Sequence, residues 1–564
     1  MESSITTPGT SSFDLVVIGA TPSGISASLR AARDGLRVLL TQHDGHIGGM
    51  CINGLGQWDA LSDHRRCPIF REILCHLEDE RRGGDDAGQP VYDHSRHPVG
   101  SFSSRSINRI FEKLVAGESS ITVLRNRIPV AVEVDNRRIV AVTIASKDST
   151  ERHDVRATTF VDATYEGDLL ALAGVEFHIG REGRCEFGEP HAGRIFTGAA
   201  EPMPQASGSA GAQLRPYGLS MSLSHPDSPG TGDGAIQAYN LRPTLTDDPT
   251  RRILPDTPPP DYDRTRYVTY TRIYLPAGGG IDRTSTCNAV ILPGENHAYP
   301  QADWTTREAI TRRHRDFLLG WMFFLQNDSE LTMSQRDANR LWGLDAREWT
   351  DNGHLPYEMY VREARRMRGR TILTEHDFAT REDDPRPKAF ADSICFTDWY
   401  MDSHSCTRDG TYGPAWDCRP DGYRYDGKLI ITASYRPGMI PYAAMLPRGI
   451  DNLLVSVCIS TTHVAWGSVR LEPCWIHLGE VAGCAASLAH RSGIAVAALS
   501  VPALQQRLLA DGASIAFFND AEHLLHQPRR AEWEMRACHG DITGFDAPIP
   551  PSEGRRHPTT PASD

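Results

Sequence analysis

The chain has 564 residues, of which 40% are hydrophobic and 23% charged, enough to bury a large core and to form two or more subdomains. Its net charge of −13, with Lys and Arg scattered, argues against a nucleic-acid partner, because such binding relies on clustered cations. No apolar stretch approaches the ~20 residues needed to cross a bilayer, so membrane insertion is not expected.

Residues 1–12 are rich in Ser and Thr, carry neither a basic n-region nor an apolar h-region, and read as a disordered tail. A cytoplasmic location is the default expectation. FDLVVIGATPSGISASLRAARDGLRVLLTQ, residues 13–42, then reads as a strand, a glycine turn, an amphipathic helix ending near Gly35, and a second strand. Such a turn suits a nucleotide pyrophosphate, which needs backbone N–H groups and the positive end of a helix close to an anion. Gly19 and Gly24 keep that approach clear, and Thr21, Pro22 and Ser23 complete the turn. Thr21 stands at the middle glycine position of the dinucleotide fingerprint, and Gln42 stands where an acidic residue usually holds the ribose. Glutamine still hydrogen-bonds a hydroxyl. An ordinary strand–turn–helix is the alternative.

Further on, 101–115 reads as a helix and 121–146 as a β-meander, and ATTFVDATYEGD returns to a buried strand. Residues 180–265 are loop-rich, interrupted by PMPQASGSAGAQ and DTPPPDYD, and mark an insertion. From 266 to 440, strand-like YVTYTRIYLP mixes with helical segments around 305–326 and 355–370. Phe317 to Leu325, the longest apolar candidate, reads as a core helix segment. Arg362, Arg365, Arg366, Arg368 and Arg370 are read as a solvated helix face with one or two inward arginines. DNLLVSVCIS (451–460) is a buried strand and 472–493 a helix with small residues for close packing, so the first and last segments are expected to share one sheet. Helical residues after 500 would cover the outside, and 546–564 is a second disordered tail. Twelve cysteines fall singly with no CxxC spacing, so iron–sulfur, zinc or other metal sites are not expected.

Four segments together, 18–59, 160–175, 352–377 and 440–473, resemble the FAD-dependent oxidoreductases of the glutathione-reductase-like flavoprotein fold, the group also labelled xanthan-lyase-like. The resemblance runs over nearly the whole chain except the tails. It implies an α/β fold: a Rossmann-like FAD-binding domain, with a parallel sheet and a β-meander, carrying an inserted α+β substrate domain. The FAD-binding domain would comprise 13–180 and 441–500, the cap and substrate domain 181–440, and a helical cover 501–545. FAD would be held non-covalently; covalent attachment would have to use His46 or Cys51.

In HIGGMCINGLG the resemblance places Gly48 and Gly49 against the FAD diphosphate and ribityl chain, with Met50, Cys51 and Gly54 running under the flavin ring. Arg127 to Val130, with Ile128 central, would pass the adenine. Asp162 and Ala163 would close over the FAD, and Asp168 would be the N-cap of the following helix. The strand ending at Cys458 would reach the flavin, and the turn HVAWGSVRLEP would offer Gly467 and Ser468 to the flavin edge. Arg470 would add positive charge there or form a structural salt bridge.

Cys51 invites a dithiol reading, but its partner position five residues on is Gly56, and exchange needs a resolving sulfur. There is also no second strand–Gly–helix unit for NAD(P)H, and no Gly-Asp pair after 451–458 as in many aromatic hydroxylases. Hydride transfer between a carbon centre and flavin N5 remains, which needs an acid or base and polar anchors in a dry pocket. The candidate bases are His404, His463, then His354 and His376, because histidine shuttles protons near neutral pH; each is also readable as a structural histidine. Arg362 and Arg365, with Tyr360, would bind a substrate carboxylate or hydroxyls, or else form an internal ion-pair network. The expectation is thus a dehydrogenase or oxidase of a polar small molecule, with oxygen, a quinone or a redox protein as external acceptor. Monooxygenation, ene-reduction and a flavin-stabilised binding protein are the alternatives.

Overall fold

The computed structural model of the protein describes residues 11–60, 66–83, 100–147, 151–198, 223–224, 228–268, 275, 282–288, 290–379, 387–407, 425–431, 437–517 and 529–541. The second tail and 202–213 lie outside these. Strand β1 (Ser11–Ile18) is followed by helix α1 (Pro22–Arg33) and strand β2 (Val38–Thr41). The first tail is shorter than expected, because Ser11 and Ser12 already pair with Val155 and Arg156. A short helix α2 (Gly49–Ile52), helices α3 (Pro68–Gly83) and α4 (Ser104–Ala116), and strands β3 (Ile121–Leu124), β4 (Arg127–Asp135), β5 (Arg138–Ser146) and β6 (Arg152–Asp162) follow. After β6 comes the short helix α5 (Asp168–Leu172).

The sheet has the order β3-β2-β1-β6, all parallel, and β6 has two partners on its other edge. Its first half pairs antiparallel with β5 (Val142 opposite Val155), and its last residues pair parallel with β7 (Leu453–Val455), Leu453 opposite Phe160. The first and last segments thus meet in one sheet. The expected meander is only partly one: β3 extends the parallel sheet beside β2, and the antiparallel ribbon is β4–β5–β6. The chain changes course at Asn126, whose φ of 55° belongs to the left-handed region that Asn tolerates. Arg127 N then donates to Gln42 O at 2.8 Å, starting β4 beside the end of β2.

Beyond β7 come helix α7 (His463–Val469), the long helix α8 (Glu472–Ser492) and the covering helices α9 (Val501–Ala510) and α10 (Arg530–Cys538); α6 (Trp304–Asn327) lies earlier, in the insertion. Helix α8 is buried along almost its whole length because it lies directly on α1. A Cβ at Gly479 would stand 2.1 Å from Ser23 O, so the two backbones touch and a side chain there has no room.

The insertion carries a four-stranded antiparallel sheet of Thr244–Thr246, Arg252–Ile253, Thr284–Thr286 and Gly343–Asp345. Helix α6 occurs as expected, capped by Asp303, which accepts from Thr306 N at 2.8 Å. Two expectations fail. YVTYTRIYLP begins as a helical turn, Thr265–Val268, and 269–274 lie outside the described residues. Residues 355–370 form no helix: Tyr360 N donates to Asn240 O, Met367 N to Cys458 O, and Arg366–Met367 pairs with Phe177–His178. The segment is an extended tie between three parts of the fold, and its arginines are not a solvated face, since Arg362 and Arg366 are fully buried. Each hydrogen bond to a different segment replaces one an isolated helix would make, and buried partners outweigh the periodicity.

Among the described residues no helix is long and apolar enough to cross a membrane. A Gly479→Ala variant is expected to lose roughly 1–3 kcal/mol of stability by overpacking, whereas Gly45→Ala, whose Cβ would meet nothing within 4 Å, stays within about 0.5 kcal/mol of the parent by urea unfolding.

Candidate functional site

Gly19, with φ of 97°, turns the chain from β1 toward α1 so closely against the end of β6 that a Cβ would lie 2.8 Å from Ala163 C and Thr164 N. Thr21 caps α1: its Oγ1 accepts from Gly24 N at 3.3 Å and donates to Ala163 O at 2.8 Å. The threonine that breaks the glycine fingerprint therefore fastens the turn to β6. Pro22 occupies the first turn, which contains no acidic residue, so the positive helix end and its orphan N–H groups are left for an anion. Ser23 Oγ hydrogen-bonds Ser456 Oγ at 2.8 Å, bringing the residue after β7 to the same point. Gly19, Thr21, Pro22, Ser23, Gly24 and Ala163 thus gather outside the carboxyl ends of β1, β6 and β7, the position where open α/β sheets take ligands.

Gln42 Oε1 accepts from Ala20 N at 3.0 Å and its Nε2 donates to Glu358 Oε1 at 2.8 Å. The carboxyl group absent at the end of β2 is supplied from a distant segment. Glu358 borders a cleft of about 280 Å³ with His43, Asp44, Glu166, Tyr299 and Trp304, opening beside the ends of β2 and β6. His43 stacks on Trp304 with centroids 4.5 Å apart. Burial holds the His43 imidazole down at about 4 and pushes the Glu358 carboxyl well above its usual range. His43, Asp44 and Glu358 are the one group among the described residues spaced to share a cation. Ile128, half-buried in β4 opposite Ala145, lies one residue past the Arg127–Gln42 bond.

Gly48 precedes α2, which contains Gly49, Met50 and Cys51; Met50 N donates to Tyr165 Oη at 2.9 Å and Gly54 N to Ser104 Oγ at 3.2 Å. Burial raises the Cys51 thiol well above its ordinary value, which suits a lining residue and not a thiolate nucleophile.

A second, cationic cluster centres on Tyr360. Arg362, Arg242 and Arg470 place their guanidinium carbons 4.5, 5.4 and 6.0 Å from its ring centroid. Arg470 is paired with Asp402 at 3.1 Å, the salt bridge that was one of its two expected roles, and donates to Tyr360 Oη at 3.1 Å. Burial, then Arg470 and Arg242, lower the Arg362 guanidinium to about 9. Burial and the charges of Arg362, Arg470, Lys428 and Arg242 hold the His404 imidazole neutral, well below its usual range. Glu472 opens α8 fully buried, and neither of its carboxyl oxygens has a hydrogen-bond partner. Burial, with Asp59 adding to it, pushes its pKa to about 8.

The other histidines are placed elsewhere. His463 is committed on three sides: Nδ1 to Glu363 Oε1 at 2.9 Å, Nε2 to Ser403 Oγ at 3.3 Å, and its backbone N to Glu182 Oε2 at 2.9 Å. Glu182 and Glu363 in turn pair with Arg366. His354 Nδ1 meets Glu348 O, and His376 is exposed. Arg365 is taken up by Asp168 at 2.9 Å, which also pairs with Arg307 at 2.6 Å. Asp168 is therefore an ion-pair hub and not the cap of α5, which is Gly167. HVAWGSV is helix and not turn, because Thr462 caps it through Ala465 N. Gly467 lies where α7 crosses Met401–Ser403, a Cβ there standing 2.6 Å from Asp402 N, and the Ser468 carbonyl accepts from Thr397. Cys458 Sγ, beyond the end of β7, hydrogen-bonds Tyr165 O at 3.3 Å. Sequence reasoning missed Arg242, Glu358 and Glu472. Arg242 falls in the loop-rich stretch without a motif, while Glu358 and Glu472 stood inside quoted segments, each beside an aromatic or an arginine.

A family model described as FAD dependent oxidoreductase matches residues 14–508. No curated protein matches the chain. Solved structures similar in part include THI4 of Thermovibrio ammonificans (18% identity, 30% of this chain and 66% of that one, TM-score 0.23). A geranylgeranyl bacteriochlorophyll reductase-like protein of Thermoplasma acidophilum is 20% identical over 30% of this chain and 43% of that one, TM-score 0.21. The myxobacterial chondrochloren halogenase CndH is 18% identical over 34% and 45%, TM-score 0.22. In each the match covers less than two thirds of the other chain.

Glu472 keeps its proton in the folded protein up to about 8, whereas the unfolded chain releases it near 4.5. Folding takes up that proton between these values, so this group makes stability fall with rising pH, by roughly 1.4 kcal/mol per unit. Glu472→Gln removes the loss: urea unfolding is expected to show its advantage over the parent growing from about pH 5 to about pH 8. A constant difference would contradict the assignment.

Proposed function

The chain belongs to the FAD dependent oxidoreductase family, and from that premise we propose that it transfers a hydride between a polar small molecule and flavin N5 in the chamber around Tyr360. FAD is its cofactor, and the residues present fit one. An acid-free helix N-terminus at Ser23 suits the diphosphate, Gln42 with Glu358 suits the ribose, and the adjoining cleft lined by His43, Tyr299 and Trp304 suits the adenosine. The segment Gly48–Gly54 joins this region to the chamber, since Arg242 Nη2 donates to Leu55 O at 3.0 Å. When bound, FAD supplies the acceptor for a hydride or the donor of one.

The observation that carries the reading is the pairing of two neutral proton-handling groups among buried cations. His404, held unprotonated, can take the proton released when a C–H and its neighbouring O–H or N–H are oxidised. Glu472, held protonated, keeps negative charge out of the chamber until it is needed. Burial excludes water from Glu472, Arg362 and Tyr360. His463, fixed by Glu363 and Glu182, acts as a positioning residue for the Ser403–His404 turn. Reduction of an activated double bond would use the same groups in reverse.

The test is anaerobic mixing of the purified protein with alcohols, sugars, amines and hydroxy acids while following the flavin band near ~450 nm. Bleaching by one class, slowed ~10²–10⁴-fold in His404→Asn at unchanged FAD content, is the expected result. A flavin reduced only by an added reductant and reoxidised with oxygen insertion into a substrate would replace this reading with monooxygenation.

A further inference from the structure

Among the described residues, the fully or nearly fully buried arginines fall into two groups. Arg30, Arg66, Arg181, Arg307, Arg365, Arg366 and Arg470 each have a carboxylate oxygen within 4 Å. Arg242 and Arg362 do not: their bonds are to neutral acceptors. Arg242 Nη2 donates to Leu55 O, Arg362 Nη1 to Ala238 O at 2.6 Å and Nη2 to Asn288 Oδ1 at 3.0 Å, and the Nε–H of both is buried without a partner, as it also is in the carboxylate-paired Arg66, Arg365 and Arg366, so the missing carboxylate is what sets the two apart. Arg362 is 0% and Arg242 5% exposed. A buried cation without a counter-ion is costly, and such charges persist where a bound group neutralises them.

The acids close to the pair do not discharge it. Asp402 is spent on Arg470, Glu472 carries its proton, and Asp59, which faces Glu472, Tyr360 and Arg470, makes no ion pair with either guanidinium. Both guanidiniums face the same Tyr360 ring, so the unneutralised charge is concentrated in one place, with His404 alongside. A guanidinium fork matches the planar geometry of a carboxylate.

We infer that Arg242 and Arg362 form the binding site for the carboxylate of an anionic substrate, seated against Tyr360. The inference rests on the reading of this chamber as the place where substrate meets flavin. The substrate is then an organic acid whose oxidisable carbon lies within reach of His404, with the carboxylate supplying the missing counter-charge. Arg365, which sequence alone placed beside Arg362, takes no part, because its guanidinium is held on Asp168 and the Glu166 carbonyl.

The test uses the FAD-loaded protein with benzoate and acetate as probes and benzamide and acetamide as their neutral counterparts, read by isothermal titration calorimetry and by the flavin difference spectrum. The acids are expected to bind at least ~10-fold more tightly than the amides. Arg362→Met and Arg242→Met should each weaken acid binding by ~10-fold or more while leaving amide binding and FAD content unchanged. Arg362→Lys, which keeps a charge, should retain part of the acid preference and serves where a Met variant does not fold. Equal binding of acids and amides overturns the inference. So does unaltered acid binding in folded Met variants accompanied by a lower flavin reduction potential, which would assign the guanidiniums to the reduced flavin instead. Calorimetry registers the anion whether or not the flavin is reducible, so loss of the hydride reading and loss of this one are told apart.

Discussion

The backbone contact between α1 and α8 is the constraint on which the remainder of the molecule depends. Through Gly479 and Gly483 the two helices approach until their main chains touch at Ser23 and Ala27. That contact joins a helix from residue 22 to one from residue 472, and it sets β7 beside β6 in register. The N-terminus of α1, the end of β6 and the residue after β7 are thereby brought to one point, fastened by the Thr21–Ala163 and Ser23–Ser456 hydrogen bonds. An anion site built this way needs no cationic side chain, since main-chain dipoles and a turn without side chains provide it.

From that point the two halves of the site diverge in chemistry. Toward β2 the groups are hydrogen-bonding, with the Glu358 carboxyl raised and the His43 imidazole lowered by burial. Toward Tyr360 the balance is cationic: three guanidiniums, one carboxylate partner for Arg470, and a histidine kept neutral by its neighbours. Residue 242, the extended tie 355–370 with Tyr360 and Arg362, and Arg470 from just after α7 come from three separate stretches of the chain to build the cluster. Arg366, Glu363, Glu182 and His463 form a separate ion-pair and hydrogen-bond network.

The parallel core was legible in sequence because its signals are local. An apolar run, a glycine turn and a helix period specify β1–α1–β2 without reference to anything distant, and the small residues of 472–493 announce a close helix contact. The reading of 355–370 as a helix failed because arginine spacing is ambiguous: the same residues that would line a solvated face are drawn into separate buried partnerships once the chain is folded. HVAWGSV misled in the opposite sense, since its glycine serves a helix crossing over Asp402 and not a turn. Within the site, Gln42 stands at the end of β2 as its place in the sequence implied, but its acidic companion comes from residue 358, a pairing no spacing rule reveals. Arg242 carried no signal at all, because its significance lies in the absence of a counter-ion, which is a property of the folded molecule.

The central claim is that FAD lies along the carboxyl ends of β2, β1 and β6, with its diphosphate at α1 and its ring at the Tyr360 chamber. Crystals grown with FAD test it most directly, through the position of the cofactor in difference density. The account predicts diphosphate oxygens within hydrogen-bond reach of the Ser23 N–H group, ribose hydroxyls beside Gln42 and Glu358, and the isoalloxazine between Gly48–Gly54 and Tyr360. Density for the ring away from Arg242 and Arg362, or a diphosphate held anywhere other than the N-terminus of α1, would contradict it.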